Sequence, residues 1–190
     1  MNAEIDLTNV VLKTERLTLR AWLPEDLDDL FEYASVPGVG EMAGWAHHTD
    51  RWVSQTVLNH FIEGKKTFAL VYHGKVIGSL GVENYREKRF PEFAEKRCRE
   101  LGFILSKTYW GQGLMPEAVN EVLRWLFEEK GLDAVFCGHF LRNTASARVQ
   151  EKCGFRHYAY GKYETQIGTV EDDEMTIIMR EDWVKRHPAA

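Results

Sequence analysis

Two glycines, Gly111 and Gly113, stand between a predicted strand and a segment with helical periodicity. Glycines in such a turn let the backbone approach a ligand closely, and the first amides of the helix lack partners of their own. These amides and the helix dipole attract a phosphate group. No Lys-Ser or Lys-Thr pair follows and a third glycine is missing, so neither a nucleoside-triphosphate loop nor a dinucleotide loop is predicted. The pattern indicates a phosphate site of another kind or a glycine turn without a ligand.

The histidines predict no metal site. His47, His48 and His60 lack the three- or four-residue spacing that places two ligands on one helix face. No carboxylate–histidine cluster with ligand spacing is found either.

The three cysteines, Cys98, Cys137 and Cys153, cannot all pair within the chain, and none forms a Cys-x-x-Cys motif. This usage predicts a reduced, cytoplasmic setting. The basic neighbours of Cys98 would favour its thiolate if the side chain were exposed, but nothing nearby indicates nucleophilic catalysis. Cys137 and Cys153 are expected in the core.

The composition predicts one globular domain over residues 1–190, because a domain averages about 150 residues. The 24 basic and 29 acidic residues give a net charge of −5, which argues against nucleic-acid binding. The apolar run over residues 68–72 is far shorter than the roughly 18 residues of a membrane span. Residues 1–6 lack the apolar segment of a signal peptide.

The elements that position these residues follow from hydrophobic periodicity and turn signals. Strands are predicted at residues 12–22, 67–72, 75–82, 101–105, 134–140, 155–163 and 175–180, and helices at 24–35, 50–63, 114–131 and 143–153. Residues 83–99 are expected as a charged connection, and the acidic run 171–174 as a solvated hairpin turn that could attract a cationic substrate. The order β-α-α-β-β-β-α-β-α-β-β predicts a mixed α/β (α+β) fold, in which helices cover both faces of one mixed sheet.

Three segments occur in an order that resembles the GNAT N-acetyltransferase superfamily. They are Leu101-Gly-Phe-Ile-Leu105, Trp110-Gly-Gln-Gly-Leu-Met115, and Asn143-Thr-Ala-Ser146 followed by Glu151-Lys-Cys-Gly-Phe155. The last of these is most similar to the ribosomal-protein N-terminal acetyltransferase branch, as are the opening strand 12–20 and the segment 44–49. The resemblance covers residues 10–180 and implies a splayed central sheet that binds acetyl-CoA.

The resemblance also implies which residues hold acetyl-CoA. The family's pyrophosphate loop falls on Trp110, Gly113 and Met115, where Met115 is larger than the usual glycine or alanine. The backbone of Gly111, Gln112, Gly113 and Leu114 would hold the pyrophosphate, and Phe103, Ile104 and Leu105 would pair with the pantetheine amides. Asn143 would bond to the pantetheine arm, cap a helix, or do both.

Two residues are implied in the chemistry. Glu100 matches the family's strand glutamate and is the candidate base, the alternative being a solvated carboxylate paired with Arg97 or Arg99. Ser146 matches a serine placed near the CoA sulfur, the alternative being an ordinary helix-surface residue. Many members carry a tyrosine acid at the position of Gln150, which cannot supply a proton.

The acceptor side is less determined. Trp45, His47 and His48 are expected either to wall the acceptor pocket or to pack in the core. The predicted acceptor is a protein N-terminus or a small amine such as a polyamine, an aminoglycoside or a metabolite. A CoA-binding module without catalysis is the alternative outside the enzyme class, and the oligomeric state stays open, with a homodimer among the options.

Overall fold

The computed structural model describes residues 1–188, which form an eight-stranded sheet with helices on both faces. The strands are β1 (Leu12–Lys13), β2 (Thr18–Ala21), β3 (Thr67–Tyr72), β4 (Lys75–Glu83), β5 (Cys98–Leu105), β6 (Ala134–Phe140), β7 (Arg156–Glu164) and β8 (Val170–Met179). Their order across the sheet is β1-β2-β3-β4-β5-β6-β8-β7, and every neighbouring pair is antiparallel except β5 and β6. The predicted mixed α/β fold is therefore confirmed.

The helices are α1 (Leu27–Ala34), α2 (Arg51–Gly64), α3 (Leu114–Arg124), α4 (Thr144–Lys152) and α5 (Arg180–Arg186). The α3 helix continues as a π-helical turn over Trp125–Glu129. Period-two alternation sends the side chains of β3 into different core clusters: Phe68 and Leu70 face α3, whereas Ala69 faces α1 and α2. The predicted apolar face of α3 is buried throughout.

Two local sequence signals, a helix cap and a glycine turn, lie where they were predicted. The side chain of Asp50 caps α2 by accepting hydrogen bonds from the amides of Trp52 and Val53 at 2.9 and 3.1 Å. His73 and Gly74 both have positive φ, as the predicted turn between β3 and β4 requires.

Two predicted strand boundaries were wrong, one near the start of the chain and one at the start of β5. The single strand expected at residues 12–22 is the hairpin of β1 and β2, because Glu117 of α3 accepts hydrogen bonds from the Thr14 hydroxyl and the Arg16 amide in the turn. The strand expected from Leu101 begins at Cys98, where the backbone pairs with β6 and bonds to residues 1–3.

Two further differences lie near the end of the chain. The acidic run is not a turn but part of β8, because basic side chains neutralise it: Arg142 pairs with Glu171 at 3.0 Å and Lys162 with Asp172 at 2.6 Å. Beyond β8, the helix α5 was not predicted, and its Trp183 packs into the α3 core.

The junction between β5 and β6 shapes the functional region. The two strands pair over only four residue pairs, from Cys98↔Ala134 to Leu101↔Cys137. Beyond Leu101, β5 continues to pair with β4 as far as Leu105↔Gly78, but β6 has diverged. One edge of β5 is therefore open from Gly102 onward, which agrees with the splayed sheet that the family resemblance implies.

Within residues 1–188, no helix combines the length and the apolar character needed to cross a bilayer.

Candidate active site

A cleft of about 600 Å³ lies between the diverging ends of β5 and β6. Its walls are the open end of β5, the glycine loop, the first turns of α4, the end of β6 and a segment around Met42. A group of polar side chains closes the inner end of the cleft: Arg86, Glu100, His139, Tyr163 and Asp173. One strand, β5, thus contributes both an open backbone edge and a carboxylate to the same cleft.

The glycine loop has the geometry of an anion site. Gly111 and Gly113 adopt φ of 75° and 76°, the left-handed region that glycine enters without strain. Among residues 1–188, nothing accepts a hydrogen bond from the amides of Gly111, Gln112 or Gly113. Arg16 holds the loop from outside, since it donates to the Gln112 carbonyl at 2.9 Å and pairs with Glu117 at 2.7 Å.

The open edge of β5 is tied to this loop by Trp110. The indole Nε1 of Trp110 donates to the carbonyl of Leu105 at 2.8 Å, so the backbone groups of Leu105 face the loop. Backbone groups alternate in direction along a strand, so those of Phe103 face the same open edge. The N–H and C=O of Phe103 are therefore available to an extended ligand, whereas the Leu105 carbonyl already has a donor.

The helix α4 forms the opposite wall. The Asn143 Oδ1 caps it by accepting from the Ser146 amide at 3.1 Å, while Nδ2 donates to the Met42 carbonyl at 3.1 Å. Both groups of this amide are thus used in the structure, as expected of a helix cap. Ser146 itself lines the cleft.

Two cations on α4 were missed by the sequence analysis. Arg148 and Lys152 line the cleft beside Ala145 and Val149, at the three- and four-residue spacing of one helix face. That spacing is the signal that could have found them. Both are exposed, so they can attract phosphate groups near the glycine loop.

Glu100 is largely buried at the inner end of the cleft. Its partner is Arg86 rather than Arg97 or Arg99, with the Arg86 Nη2 3.2 Å from Glu100 Oε1. The Oε2 atom is buried and has no hydrogen-bond partner within residues 1–188. Burial raises the pKa of Glu100 above its ordinary value, and the Arg86 charge opposes this effect only in part.

A buried ion-pair group surrounds Glu100 and was not predicted. Asp173 is 2% exposed and pairs with Arg89 at 2.8 Å and with Arg86 at 3.7 Å. The Arg86 guanidinium also lies 5.2 Å from the centre of the Tyr163 ring. Asp173 was missed because the acidic run was interpreted as a solvated turn.

Ser146 sits in a hydrogen-bonded cluster with Gln150, which is 1% exposed. The Gln150 Nε2 donates to the Ser146 Oγ at 3.1 Å and to the Gly138 carbonyl at 3.3 Å. The Gln150 Oε1 lies 2.8 Å from the Thr176 hydroxyl and 3.1 Å from the His139 Nδ1. The buried amide is therefore bonded at both ends.

The residues expected at the acceptor side do not line the cleft. His48 is buried and its Nδ1 lies 2.7 Å from the Ser54 hydroxyl, and burial lowers its pKa. Trp45 packs on His48 with ring centres 5.2 Å apart, and His47 pairs with Glu41 at 2.8 Å. From this part of the chain, Val39, Met42 and Ala43 reach the cleft instead. The core-packing alternative fits His48, which is buried, and Trp45, which packs partly buried against a core cluster, whereas the His47 side chain is 39% exposed.

Cys137 lines the cleft, but burial raises the pKa of its thiol well above the ordinary value. All three cysteines are free and buried. Burial raises the pKa of Cys98 to about 11, so its basic neighbours do not make it reactive. Within residues 1–188, no three His, Cys, Asp or Glu side chains group as metal ligands.

Comparison of the sequence with known families and proteins gives matches to acetyltransferases. The family model described as "Acetyltransferase (GNAT) domain" matches residues 16–156. The chain is 37% identical over 89 residues to the FsC-acetyl coenzyme A-N(2)-transacetylase of Aspergillus fumigatus, a match that covers 45% of the chain and 38% of that protein. It is 27% identical to the uncharacterized N-acetyltransferase p20 of Bacillus licheniformis over 90% of the chain and 97% of that protein.

Solved structures share the fold. A GNAT-family acetyltransferase from Bacillus anthracis superposes with a TM-score of 0.79 at 23% identity, over 90% of the chain and 99% of that structure. The Microcin C7 self-immunity acetyltransferase MccE, solved with acetyl-CoA and AMP, superposes with a TM-score of 0.72 at 14% identity, over 87% and 93%.

Proposed function

Because the chain belongs to the GNAT acetyltransferase family, we propose that it acetylates an α-amine, with a protein N-terminus as the acceptor. Family membership makes it an acetyl-CoA-dependent N-acetyltransferase. The observation that carries the proposal is the cleft itself. Loop amides that find no acceptor among residues 1–188 lie along its wall, and a buried carboxylate whose Oε2 has no partner among the same residues lies at its inner end.

Acetyl-CoA fits the outer part of the cleft. The amides of Gly111, Gln112 and Gly113, with those at the start of α3, would bind the pyrophosphate. Arg148 and Lys152 would add positive charge beside it. The pantetheine arm would then follow the open edge of β5, where Phe103 offers one donor and one acceptor.

The inner residues would divide the chemistry between them. The acceptor nitrogen attacks the thioester carbonyl, and its proton passes to Glu100 directly or through one water. The carbon–sulfur bond then breaks and the electron pair leaves with the sulfur as the CoA thiolate. Ser146 would stabilise this thiolate by a hydrogen bond, so the acetyl group moves without a covalent enzyme intermediate.

The base favours an α-amine over a lysine side chain. An α-amine has a pKa of about 7.7–8.0 and costs about 1–1.4 kcal/mol to deprotonate at neutral pH, whereas a lysine costs roughly 4–5 kcal/mol. A lone carboxylate such as Glu100 suffices for the smaller cost. Its raised pKa brings it nearer to that of the α-amine, which improves proton transfer.

A small amine that carries a carboxylate is the second candidate. The observation that favours it is Arg86, a cation inside the cleft beside Glu100. Its guanidinium could pair with an acceptor carboxylate, as arginine does in many sites. A protein N-terminus has no carboxylate next to its amine.

A CoA-release assay tests the acceptor. Peptides with a free N-terminus, the same peptides with a blocked N-terminus and an internal lysine, and amino-acid-like and polyamine substrates are compared at equal concentration. We expect release with the free N-termini and little with the blocked lysine peptides. Release with carboxylate-bearing small amines alone would favour the second candidate, and none with any amine would contradict catalysis.

The same proposal covers the setting of the enzyme. We take residues 10–180 to act as one domain, in line with the family match to residues 16–156. The three free cysteines are consistent with a cytoplasmic protein.

A further inference from the structure

The orientation of the Gln150 side chain is fixed by its neighbours. The Gly138 carbonyl can only accept a hydrogen bond, so the group that faces it must be the Nε2 donor. The opposite end, Oε1, faces the Thr176 hydroxyl, which can donate to it. The reversed amide would set two oxygens against each other at Gly138 in a buried place, which is costly.

This orientation decides what the Ser146 hydroxyl can do. The same Nε2 donates to Ser146 Oγ at 3.1 Å, so one lone pair of the serine is occupied. Ser146 and Gln150 are four residues apart on α4, which places them on one face of the helix. Within residues 1–188, the Ser146 hydroxyl accepts this one hydrogen bond and donates none, and it lines the cleft. The proton is thus directed to whatever occupies the cleft.

We propose that Gln150 is a positioning residue that keeps Ser146 a hydrogen-bond donor toward the sulfur of CoA. The inference rests on the proposed function, since it takes the CoA sulfur to lie beside Ser146. Gln150 stands at the position where many family members carry a tyrosine that acts as the general acid. In this proposal Gln150 supplies no proton but orients the Ser146 hydroxyl, which stays protonated.

The chemistry balances without an added acid. A thiol has a pKa of about 8.5, far below that of a serine hydroxyl, so the proton remains on Ser146 when the thiolate leaves. The thiolate keeps the electron pair of the broken carbon–sulfur bond and is stabilised as an anion by the O–H donor. Solvent protonates it after release.

The test is a titration of the thiol of CoA bound to the full chain, followed by the ultraviolet absorbance of the thiolate. Wild type should hold the pKa of the bound thiol below that of free CoA. Ser146→Ala should raise this pKa by about one unit, because one charge-assisted hydrogen bond is lost. Gln150→Met should raise it by most of that amount, and the double variant should raise it no further than Ser146→Ala.

Controls separate this inference from a structural effect and from the proposed function. Gln55→Met changes a glutamine on α2 whose side chain donates to Asn59 at 2.9 Å, away from the cleft, and should leave the thiol pKa at the wild-type value. Gln150→Asn, which withdraws the amide by one methylene, is the second variant if Gln150→Met does not fold. Calorimetry of CoA binding to wild type checks the site itself, and absence of binding would overturn the proposed function and this inference with it.

Three results would overturn the inference while CoA still binds. The first is a wild-type thiol pKa in Gln150→Met with a raised value in Ser146→Ala. The second is a shift in the double variant equal to the sum of both single shifts. The third is no shift in Ser146→Ala, which would also remove Ser146 from the proposed chemistry.

Discussion

Glu100 combines burial with an oxygen, Oε2, that has no hydrogen-bond partner among residues 1–188, and each property affects its use as a base. Burial raises its pKa, so it loses its charge at a higher pH than an exposed glutamate would. Below that pKa the carboxyl is protonated and accepts no proton, which gives the wild-type enzyme an acid limb of activity. The unpartnered Oε2 is the atom free to accept.

Glu100→Gln should reduce activity most at low pH, where few acceptor amines are already neutral but the wild-type carboxylate is still charged. The loss should shrink as pH approaches the pKa of the amine, because more substrate then arrives deprotonated. The measurement is kcat/KM from about pH 6 to about pH 9. Glu151→Gln, on the exposed side of α4, is the matched control. A Glu100→Gln profile parallel to wild type would mean that Glu100 only positions the substrate.

Ser146→Ala should lower kcat by roughly 10- to 100-fold with little change in the KM for acetyl-CoA. The hydroxyl acts mainly when charge develops on the sulfur, so its loss falls on the transition state rather than on binding. Steady-state kinetics with acetyl-CoA varied at saturating acceptor measures both constants. Thr144→Ala, an exposed neighbour on the same helix, should behave as wild type. An unchanged kcat in Ser146→Ala would make Ser146 an ordinary helix residue.

At the scale of elements, the glycine loop and the helix behind it form one unit. In the described part of the chain the loop amides lack acceptors, Trp110 ties the loop to the end of β5, and Arg16 ties it to the start of α3 through Glu117. Such bracing fixes the amides before a ligand arrives, which lowers the entropy lost on binding.

Gly113→Val should weaken CoA binding at least tenfold by calorimetry. Valine is strained at φ of 76°, and its Cβ would lie 3.6 Å from the Arg16 Nη2 that braces the loop, so the loop amides would leave the positions that bind the pyrophosphate. Gly74→Val, at a φ of 81° in the β3–β4 turn, carries the same strain away from the cleft and is the control. Unchanged CoA affinity in a folded Gly113→Val protein would remove the loop from the binding site.

Elements whose signals are local were predicted from the sequence. The strand β6 and the buried face of α3 came from hydrophobic periodicity, which depends only on neighbouring residues. The start of β8 and the partner of Glu100 did not, because ion pairs between distant residues determine them. Asp173, for example, enters the sheet paired with Arg89, 84 positions away. Likewise, Trp45 and His48 look like site residues in sequence, but their environment is set by tertiary packing.

At the scale of the whole molecule, the proposed binding site lies where a short run of parallel pairing links two groups of strands. β1–β5 connect to β6–β8 through only four parallel residue pairs, and the cleft opens where that pairing stops. A ligand in the cleft would contact β5 on one side and α4, which packs on β6, on the other. Acetyl-CoA should therefore hold the two parts of the sheet together.

Acetyl-CoA at about 100 times its Kd should stabilise the protein by about 2.7 kcal/mol, which raises Tm by roughly 5–10 °C for a chain of this size. Calorimetric melting with and without the ligand measures the shift. Hydrogen exchange should slow at the amides of residues 102–105 and 111–114. Gly113→Val at the same ligand concentration should show a much smaller rise. Equal rises in both proteins would mean that the ligand binds elsewhere.

Because Cys98, Cys137 and Cys153 are all buried, their reaction with a thiol reagent can report on unfolding of the protein. With thiol pKa values of about 11 for Cys98 and about 12 for Cys153, a thiol-reactive dye should find almost nothing to label in the native chain at neutral pH. The dye can then count released CoA with negligible background during turnover. In denaturant, the same dye should titrate three equivalents per chain, at a rate that follows global opening. Fast labelling of one equivalent without denaturant would show that one of these strands or helix ends opens locally.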